Sequence, residues 1–470
     1  MSFWLIFFGL MYIFLLVFSA RSAKIKNNNN VDEVLLARSG VPTILLFLSF
    51  SATLFSTFTL MGVPNFFRTH GVGTWIFIGV SDVAMGFVVY WFGIRYKTIV
   101  DNENIRGVSS LLKNRYNNGS LSWIVYLLGI FIFLTPYVAI QIQGVSQLLT
   151  ALAPSHIPSW VWSLGMLTLI LIYSWVGGLR AIMYSDVAQG IILLFVIWIV
   201  AILVTNNAGG LTNIFNTLRE TSPELLALPG PKGLMNFQFL FVSFIAILMM
   251  PLTQPQLTTR IASAKSIKEI PMMALGISFF AFIILLPTIV IGFTGAIQYP
   301  ELSSGEFLAK ILVFDRPEYI GALAVVGLLA AAMSTADSQL FALGAESQVA
   351  LAKDENKLNV KSAKLIIIIF SAVSLILSLL SSSELVLLAR VSFVGTALIA
   401  PMIILAVLSK KGQLNNTVPI VTMLVLGLFL LSSFKFISNS YFGFRIDFIL
   451  LVIIFITGTI SCFFSWIHKR

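Results

Sequence analysis

The sequence predicts an all-α polytopic membrane protein, and three observations lead to this fold class. Of its 470 residues, 58% are hydrophobic and only 10% are charged, whereas a soluble domain carries roughly 25% charged residues. The mean hydropathy is +0.96. The apolar residues also fall into repeated runs of about 20, the length with which a helix crosses a bilayer. Lipid is therefore the solvent that fits this composition.

About thirteen apolar segments are predicted to be transmembrane helices. The first has no basic residues before it, and Arg21, Lys24 and Lys26 follow it. This pattern is typical of an uncleaved helix with its N-terminus outside, rather than of a secretory signal. The segments lie near residues 2–20, 42–64, 73–94, 121–152, 159–177, 183–206, 234–256, 271–296, 320–352, 363–382, 386–408, 416–434 and 447–467.

The basic residues of the loops predict the orientation. Of the 29 Lys and Arg residues, 21 fall in the alternate loops assigned to the inside, with Arg260 among them, seven in those assigned to the outside, and Arg390 in a span. Short cytoplasmic loops are enriched in Lys and Arg. We therefore expect a multi-pass protein of the cell (inner) membrane, with the N-terminus outside and the C-terminus cytoplasmic.

The composition argues against several classes of function. No basic run with interleaved aromatic residues indicates a nucleic-acid partner. The single cysteine, Cys462, and three scattered histidines show no metal-ligand spacing. An intramembrane enzyme is disfavoured because no paired nucleophile and base is evident. No cofactor is expected.

Apart from residues at the span boundaries, five charged residues lie within predicted spans, where each costs about 2.5–3.5 kcal/mol on insertion scales. Glu346 and Arg390 lie near span ends, which favours structural pairing. Asp186 and Asp337 have polar neighbours that favour function. The role of Asp82 is left open.

Hydroxyl groups and prolines mark three of the spans. Residues 327–339, GLLAAAMSTADSQ, place Ser334 and Thr335 beside small residues, and hydroxyl oxygens are ligands for hard cations such as sodium. Residues 49–64 carry six hydroxyl side chains, which can satisfy the backbone of an interrupted membrane helix. Pro251 and Pro255 predict a break in the seventh span. Paired interrupted helices five spans apart are typical of the midplane site in inverted-repeat transporters.

Four stretches together resemble the sodium/solute symporter family, which includes bacterial sodium/proline permeases, sodium/glucose cotransporters, sialic acid transporters and the symporter half of transporter–histidine kinase hybrids. The match extends over essentially the whole chain. The stretches are ATLFSTFTLMGVP (52–64), YSWVGGLRAIMYSDVAQ (173–189), TQPQLTTR (253–260) and AAMSTADSQL (331–340).

The resemblance implies a core of ten helices in two inverted five-helix repeats within a single transport domain, residues 1–470. The segments are an extra N-terminal helix and linker (1–41), the first repeat (42–205), the second repeat (234–411) and two extra C-terminal helices (412–470).

The resemblance also implies the site residues. The main sodium site takes carbonyl groups of Ala52, Phe55 and Ala331 and hydroxyl groups of Ser334 and Thr335. A second cation site takes Asp186, Ser334, Asp337 and Ser338. There Asp337 replaces a hydroxyl residue, so this carboxylate either strengthens the site or takes a proton. The solute would contact Ser56, Phe58, Thr59, Tyr137, Gln141 and Gln254.

The expected function is sodium-coupled import of a small organic solute, an amino acid or a monocarboxylate, by alternating access. No Lys or Arg lies among the expected solute-binding residues, which disfavours a dicarboxylate. Two alternatives remain: a proton-coupled carrier of the same fold that uses Asp186 or Asp337, and a solute sensor without net transport. The expected partners are sodium, the solute and the lipid bilayer, and the oligomeric state is not predicted.

Overall fold

A computed structural model describes residues 2–22, 37, 41–117, 120–152, 157–176, 178–352, 360–381 and 385–467. Most of the expected linker between residues 23 and 40 lies outside the described residues.

Nineteen α-helices, five short 3-10 or π-helical segments and one two-stranded hairpin make up the described chain. The α-helices are α1 (Ser2–Ser22), α2 (Thr43–Leu54), α3 (Val63–His70), α4 (Ser81–Glu103), α5 (Val108–Arg115), α6 (Ser120–Leu152), α7 (Ser159–Val176), α8 (Leu179–Asn207), α9 (Leu211–Thr221), α10 (Phe237–Thr253), α11 (Pro255–Ala262), α12 (Ile270–Gln298), α13 (Ser304–Ala309), α14 (Glu318–Leu351), α15 (Val360–Leu380), α16 (Leu385–Ala397), α17 (Ala400–Leu408), α18 (Thr417–Ser433) and α19 (Ile446–Ile467). The π-helical segments are Phe58–Gly62, Trp75–Val80 and Lys310–Phe314, the 3-10 segments are Pro223–Leu226 and Ile267–Glu269, and the strands are β1 (Ser440–Tyr441) and β2 (Phe444–Arg445).

The apolar helices confirm the predicted membrane-protein class. Eight helices of the described chain are long and apolar enough to cross a membrane, or ten if each of two bent pairs counts as one span. Three shorter apolar helices cover Phe3–Ser19, Ser159–Ile172 and Thr417–Ser433. All of these coincide with predicted segments, while the count of thirteen spans and the division into two repeats stay predictions.

The first bent pair is α2 and the helical segment Phe58–His70, whose axes differ by 53°. Phe55 ends α2 with an extended backbone, at φ −94° and ψ 112°. The hydroxyl-rich stretch within residues 49–64 predicts an interruption here, and the structure has one.

The second bent pair is α10 and α11, which meet at an angle of 49°. Gln254 has an extended backbone, at φ −97° and ψ 120°, and Pro255 is the first residue of α11. A residue before proline is driven from helical to extended backbone, which accounts for the position of the break. The predicted effect of the prolines is confirmed.

Helix α14 lies at the centre of the bundle and contacts α6, α8, α2 and α11. Small residues permit these close approaches. A Cβ atom added to Gly327 would lie 2.8 Å from Val196 on α8, and one added to Gly190 would lie 2.8 Å from Ala52 on α2. The two helices that carry the predicted sodium-binding residues, α2 and α14, therefore both pack closely against α8.

Two of the charged residues predicted within spans have structural partners. Arg390 on α16 donates to Ser243 of α10 at 2.7 Å and forms a 2.7 Å salt bridge with Asp447 at the start of α19. Glu346 accepts a hydrogen bond from the backbone N–H of Ser109, in the first turn of α5. These contacts fit the prediction that Arg390 and Glu346 have structural partners.

Candidate functional site at the two helix breaks

The last carbonyl groups of α2 each accept a hydrogen bond from a neighbouring helix. Such groups lack intrahelical partners at a helix C-terminus. The carbonyl of Ala52 accepts from Ser334 Oγ at 3.0 Å. The carbonyl of Thr53 accepts from Thr335 Oγ1 at 2.9 Å, and that of Leu54 from Tyr137 Oη at 3.1 Å. Three consecutive carbonyl oxygens therefore face side chains of α14 and α6.

Ser334 contacts carbonyl oxygens on both helices of the predicted sodium site, α2 and α14. Its Oγ also lies 2.9 Å from the carbonyl oxygen of Ala331, one turn earlier on α14. Ala52, Ala331, Ser334 and Thr335 are all at most 1% exposed. The C-terminus of a helix carries a partial negative charge, and hard cations prefer oxygen ligands. The arrangement is therefore chemically suited to a monovalent cation.

One member of the predicted sodium set is placed differently from the others. Thr335 contacts the carbonyl of Thr53, whereas Phe55 lies in the break itself, after the hydrogen-bonded carbonyl groups. Thr53 therefore supplies a carbonyl oxygen that the sequence analysis did not assign to the sodium site. In the sequence, only its position next to Ala52 could have indicated this role.

Three of the predicted solute-binding side chains accept hydrogen bonds from backbone N–H groups at the first break. The N–H of Thr57 donates to Gln141 Oε1 at 3.3 Å. The N–H of Ser56 donates to Thr59 Oγ1, and the N–H of Phe58 donates to Ser56 Oγ, each at 3.2 Å. These side chains satisfy backbone groups that would otherwise be costly to bury in a membrane.

An aromatic ring lies beside the first break, and an amide group lies in the second break. The ring of Phe393 on α16 lies edge-on to Phe58 and to Tyr137, with centroid separations of 5.7 and 5.1 Å. Gln254 in the second break is fully buried, accepts from Gln256 and leaves its Nε2 without a hydrogen-bond partner. Phe393 was missed by sequence reasoning, because a phenylalanine in an apolar span carries no distinguishing signal.

A buried arginine lies where the second cation was expected. Arg260 on α11 forms a 2.6 Å salt bridge with Asp186 on α8, and both side chains are 0% exposed. Arg260 also donates to Ser338 Oγ at 2.6 Å and to Ser49 Oγ at 2.8 Å. The guanidinium thus connects α11 with α8, α14 and α2.

Two of the four residues predicted for that second site, Asp186 and Ser338, share a hydrogen bond. Asp186 and Ser338 meet at 3.4 Å, while Ser334 turns toward Ala52 and Ala331. Asp337 is fully buried, and neither of its carboxylate oxygens has a hydrogen-bond partner.

The prediction that Arg260 lies in an inner loop is wrong. It is part of α11 and is fully buried. Arg260 is the last residue of the stretch TQPQLTTR at residues 253–260, which carries part of the family resemblance. The motif did not indicate that this arginine is buried and paired.

Sequence comparison places these elements in a known family. The model of the Sodium:solute symporter family matches residues 35–418. The chain is 24% identical to the sodium/pantothenate symporter of Haemophilus influenzae over 312 residues, 66% of this chain and 64% of that protein. It is 27% identical to sodium/proline symporter 2 of Staphylococcus saprophyticus over 345 residues, 70% of this chain and 65% of that protein. The matches thus span about two thirds of each relative.

Structural comparison agrees on the fold. A substrate-bound, outward-open structure of a Na⁺-coupled sialic acid symporter superposes with a TM-score of 0.76 at 20% identity, over 96% of this chain and 94% of that one. These relatives are transporters rather than enzymes, as the sequence predicts. The family match over most of the chain and the shared fold establish that this protein belongs to the sodium:solute symporter family.

Proposed function

We propose that the protein is a sodium-coupled symporter that imports a small monocarboxylate or amino acid across the cell membrane by alternating access. The observation that carries this proposal is the contact of Ser334 and Thr335 with consecutive carbonyl groups at the end of α2. Sodium would bind there, with its ligands drawn from two helices. The N-terminus would lie outside, as the loop charges predict.

The same broken segment supports the coupling between ion and solute. Ala52 and Thr53 supply the cation-facing carbonyl groups, and Ser56 follows three residues later in the solute region. A cation that fixes the end of α2 therefore fixes the polar groups of the break. An inside-negative potential would contribute about 2.3 kcal/mol per charge for each 100 mV.

The chemistry of the solute region supports a solute that carries a single carboxylate group. Its polar groups are hydroxyl and amide groups, and Gln254 Nε2 is an unused donor. The second halves of both broken helices begin beside the break, and helix N-termini favour anions. Two relatives are named sodium/pantothenate and sodium/proline symporters. Pantothenate, a monocarboxylate, is our first candidate and proline is the second.

The test is uptake into proteoliposomes that contain the purified protein. Radiolabelled pantothenate and proline are supplied with an inward sodium gradient, or with choline replacing sodium. We expect saturable, sodium-dependent uptake of one of them. Ser334→Ala should raise the sodium concentration for half-maximal uptake about tenfold, corresponding to roughly 1.4 kcal/mol.

The matched control is Ser347→Ala, which removes another buried hydroxyl from α14, thirteen residues from Ser334. It should leave the sodium dependence unchanged. Uptake of the solute at the same rate in choline would contradict sodium coupling.

Two alternatives predict other results. Accumulation driven by a pH gradient without sodium would favour a proton-coupled carrier. Saturable solute binding with no accumulation in any gradient would favour a sensor.

A further inference from the structure

A polar cavity of about 510 Å³ lies at the end of the bundle where α6 and α15 end and α7 begins. The loop helix α13 forms another wall. The loop charges assign this end to the outside. Its walls therefore come from four separate elements, and its volume lies in the range of sites that hold small ligands.

The wall contributed by α6 is a continuous polar stripe. Gln143, Ser146, Gln147 and Thr150 all line the cavity, and their spacing of three and four residues puts them on one face of the helix. The neighbouring Gly144 points elsewhere, because a Cβ atom there would lie 2.1 Å from Thr57. The stripe is therefore distinct from the face of α6 that meets the first break.

Four hydroxyl groups of the cavity donate hydrogen bonds to backbone carbonyl groups of the protein. Four serines, from α6, α7 and the C-terminal end of α15, each donate to a backbone carbonyl. A hydroxyl that has donated its proton offers lone pairs to any further partner. These four hydroxyl groups thus present hydrogen-bond acceptors to the cavity. The bonds are Ser146 to Ser159 at 2.8 Å, Ser163 to Ser159 at 3.3 Å, Ser378 to Leu375 at 2.7 Å and Ser381 to Leu377 at 2.6 Å.

A carboxylate adds negative charge to these acceptors. Glu306 lines the cavity and forms a capping box with Ser303, which donates through its Oγ at 2.6 Å and its N–H at 3.1 Å to Glu306 Oε2. These hydrogen bonds lower the pKa of Glu306, so this carboxyl group is ionised at neutral pH. None of the described residues that line the cavity is Lys or Arg.

We propose that this cavity is an accessory site for a small organic ammonium ion. An ammonium group has donors and no acceptor, which complements a wall of acceptors beside a carboxylate. The site is separate from the solute region at the helix breaks.

Ligand binding there would join the loop helix to the bundle. A Cβ atom on Gly305 of α13 would already lie 3.4 Å from the carbonyl oxygen of Gln147 on α6. A ligand between Glu306 and the α6 stripe would therefore strengthen an existing contact.

Isothermal calorimetry on the purified full-length protein in phosphate buffer tests the proposal. The probes are ethanolamine, neutral ethylene glycol and anionic glycolate, which have similar sizes. We expect saturable binding of ethanolamine alone. Glu306→Gln should weaken it about tenfold, a loss of roughly 1.4 kcal/mol. Glu301→Gln, an exposed carboxylate in the same loop, is the matched control and should bind normally.

Ser334→Ala separates this site from the proposed sodium site. It should impair sodium-dependent uptake and leave ethanolamine binding intact. Equal binding of ethylene glycol, unchanged binding in Glu306→Gln, or no saturable ethanolamine binding up to about 100 mM, well above the millimolar affinity expected of an open site, would each overturn the proposal. None of these outcomes would bear on sodium-coupled uptake.

Discussion

Removing the buried guanidinium by Arg260→Gln should destabilise the protein strongly. Arg260 donates to Asp186, Ser338, Ser49 and the carbonyl of Gln256 at 2.6–2.8 Å. Breaking a buried ion pair costs about 3–5 kcal/mol, because a charge remains buried without its partner. In the variant Ser49 can still donate to Asp186, at 2.7 Å in the structure. Because this hydrogen bond partly satisfies the carboxylate, we expect a loss near the lower end of that range, about 3 kcal/mol.

Denaturant titration of the purified protein in mixed micelles measures this loss as the free energy of unfolding. Asp186→Asn combined with Arg260→Gln removes both charges, so the double variant should be more stable than Arg260→Gln alone. Lys310→Gln is the control, because Lys310 is half exposed and lies 3.9 Å from Asp315. Its loss should be about 0–1 kcal/mol. A loss below about 1 kcal/mol for Arg260→Gln would contradict a stabilising role for this buried ion pair.

Two further substitutions test the geometry around α2. Tyr137→Phe removes the hydrogen bond to the carbonyl of Leu54; the free energy of unfolding should fall by about 1–3 kcal/mol, and an unchanged denaturation midpoint would argue against this contact. Gly190→Val places a side chain against Ala52, where a Cβ atom alone lies 2.8 Å away. It should lower stability by about 1–3 kcal/mol and weaken sodium-dependent uptake. Gly165→Val, at a position with no atom within 4 Å of an added Cβ, should preserve uptake; equal loss in both variants would contradict a local effect on α2.

The helix breaks were predictable because their causes are local. Pro255 drives Gln254 out of helical geometry, and hydroxyl side chains beside the first break can satisfy freed backbone groups. The apolar segments were predictable for a similar reason, since each must supply about 20 residues to cross the bilayer. These features required no knowledge of which helices are neighbours.

The partners of the buried charges depend on tertiary contacts that the sequence does not encode locally. Arg260 follows a break close to predicted cytoplasmic loops, so charge counting assigned it to a loop. Its burial depends on Asp186, 74 residues earlier, and on Ser338, 78 residues later. Phe393 likewise reaches Phe58 only through the packing of α16 against the first break.

The most direct test of the account is equilibrium binding of radioactive sodium to the purified protein. The wild type should bind sodium saturably. The double variant Ser334→Ala with Thr335→Ala removes both hydroxyl groups that face the carbonyl groups of α2, and it should lose that binding, while Ser347→Ala retains it. Sodium binding of equal affinity in the wild type and the double variant would contradict the proposed sodium site between α2 and α14.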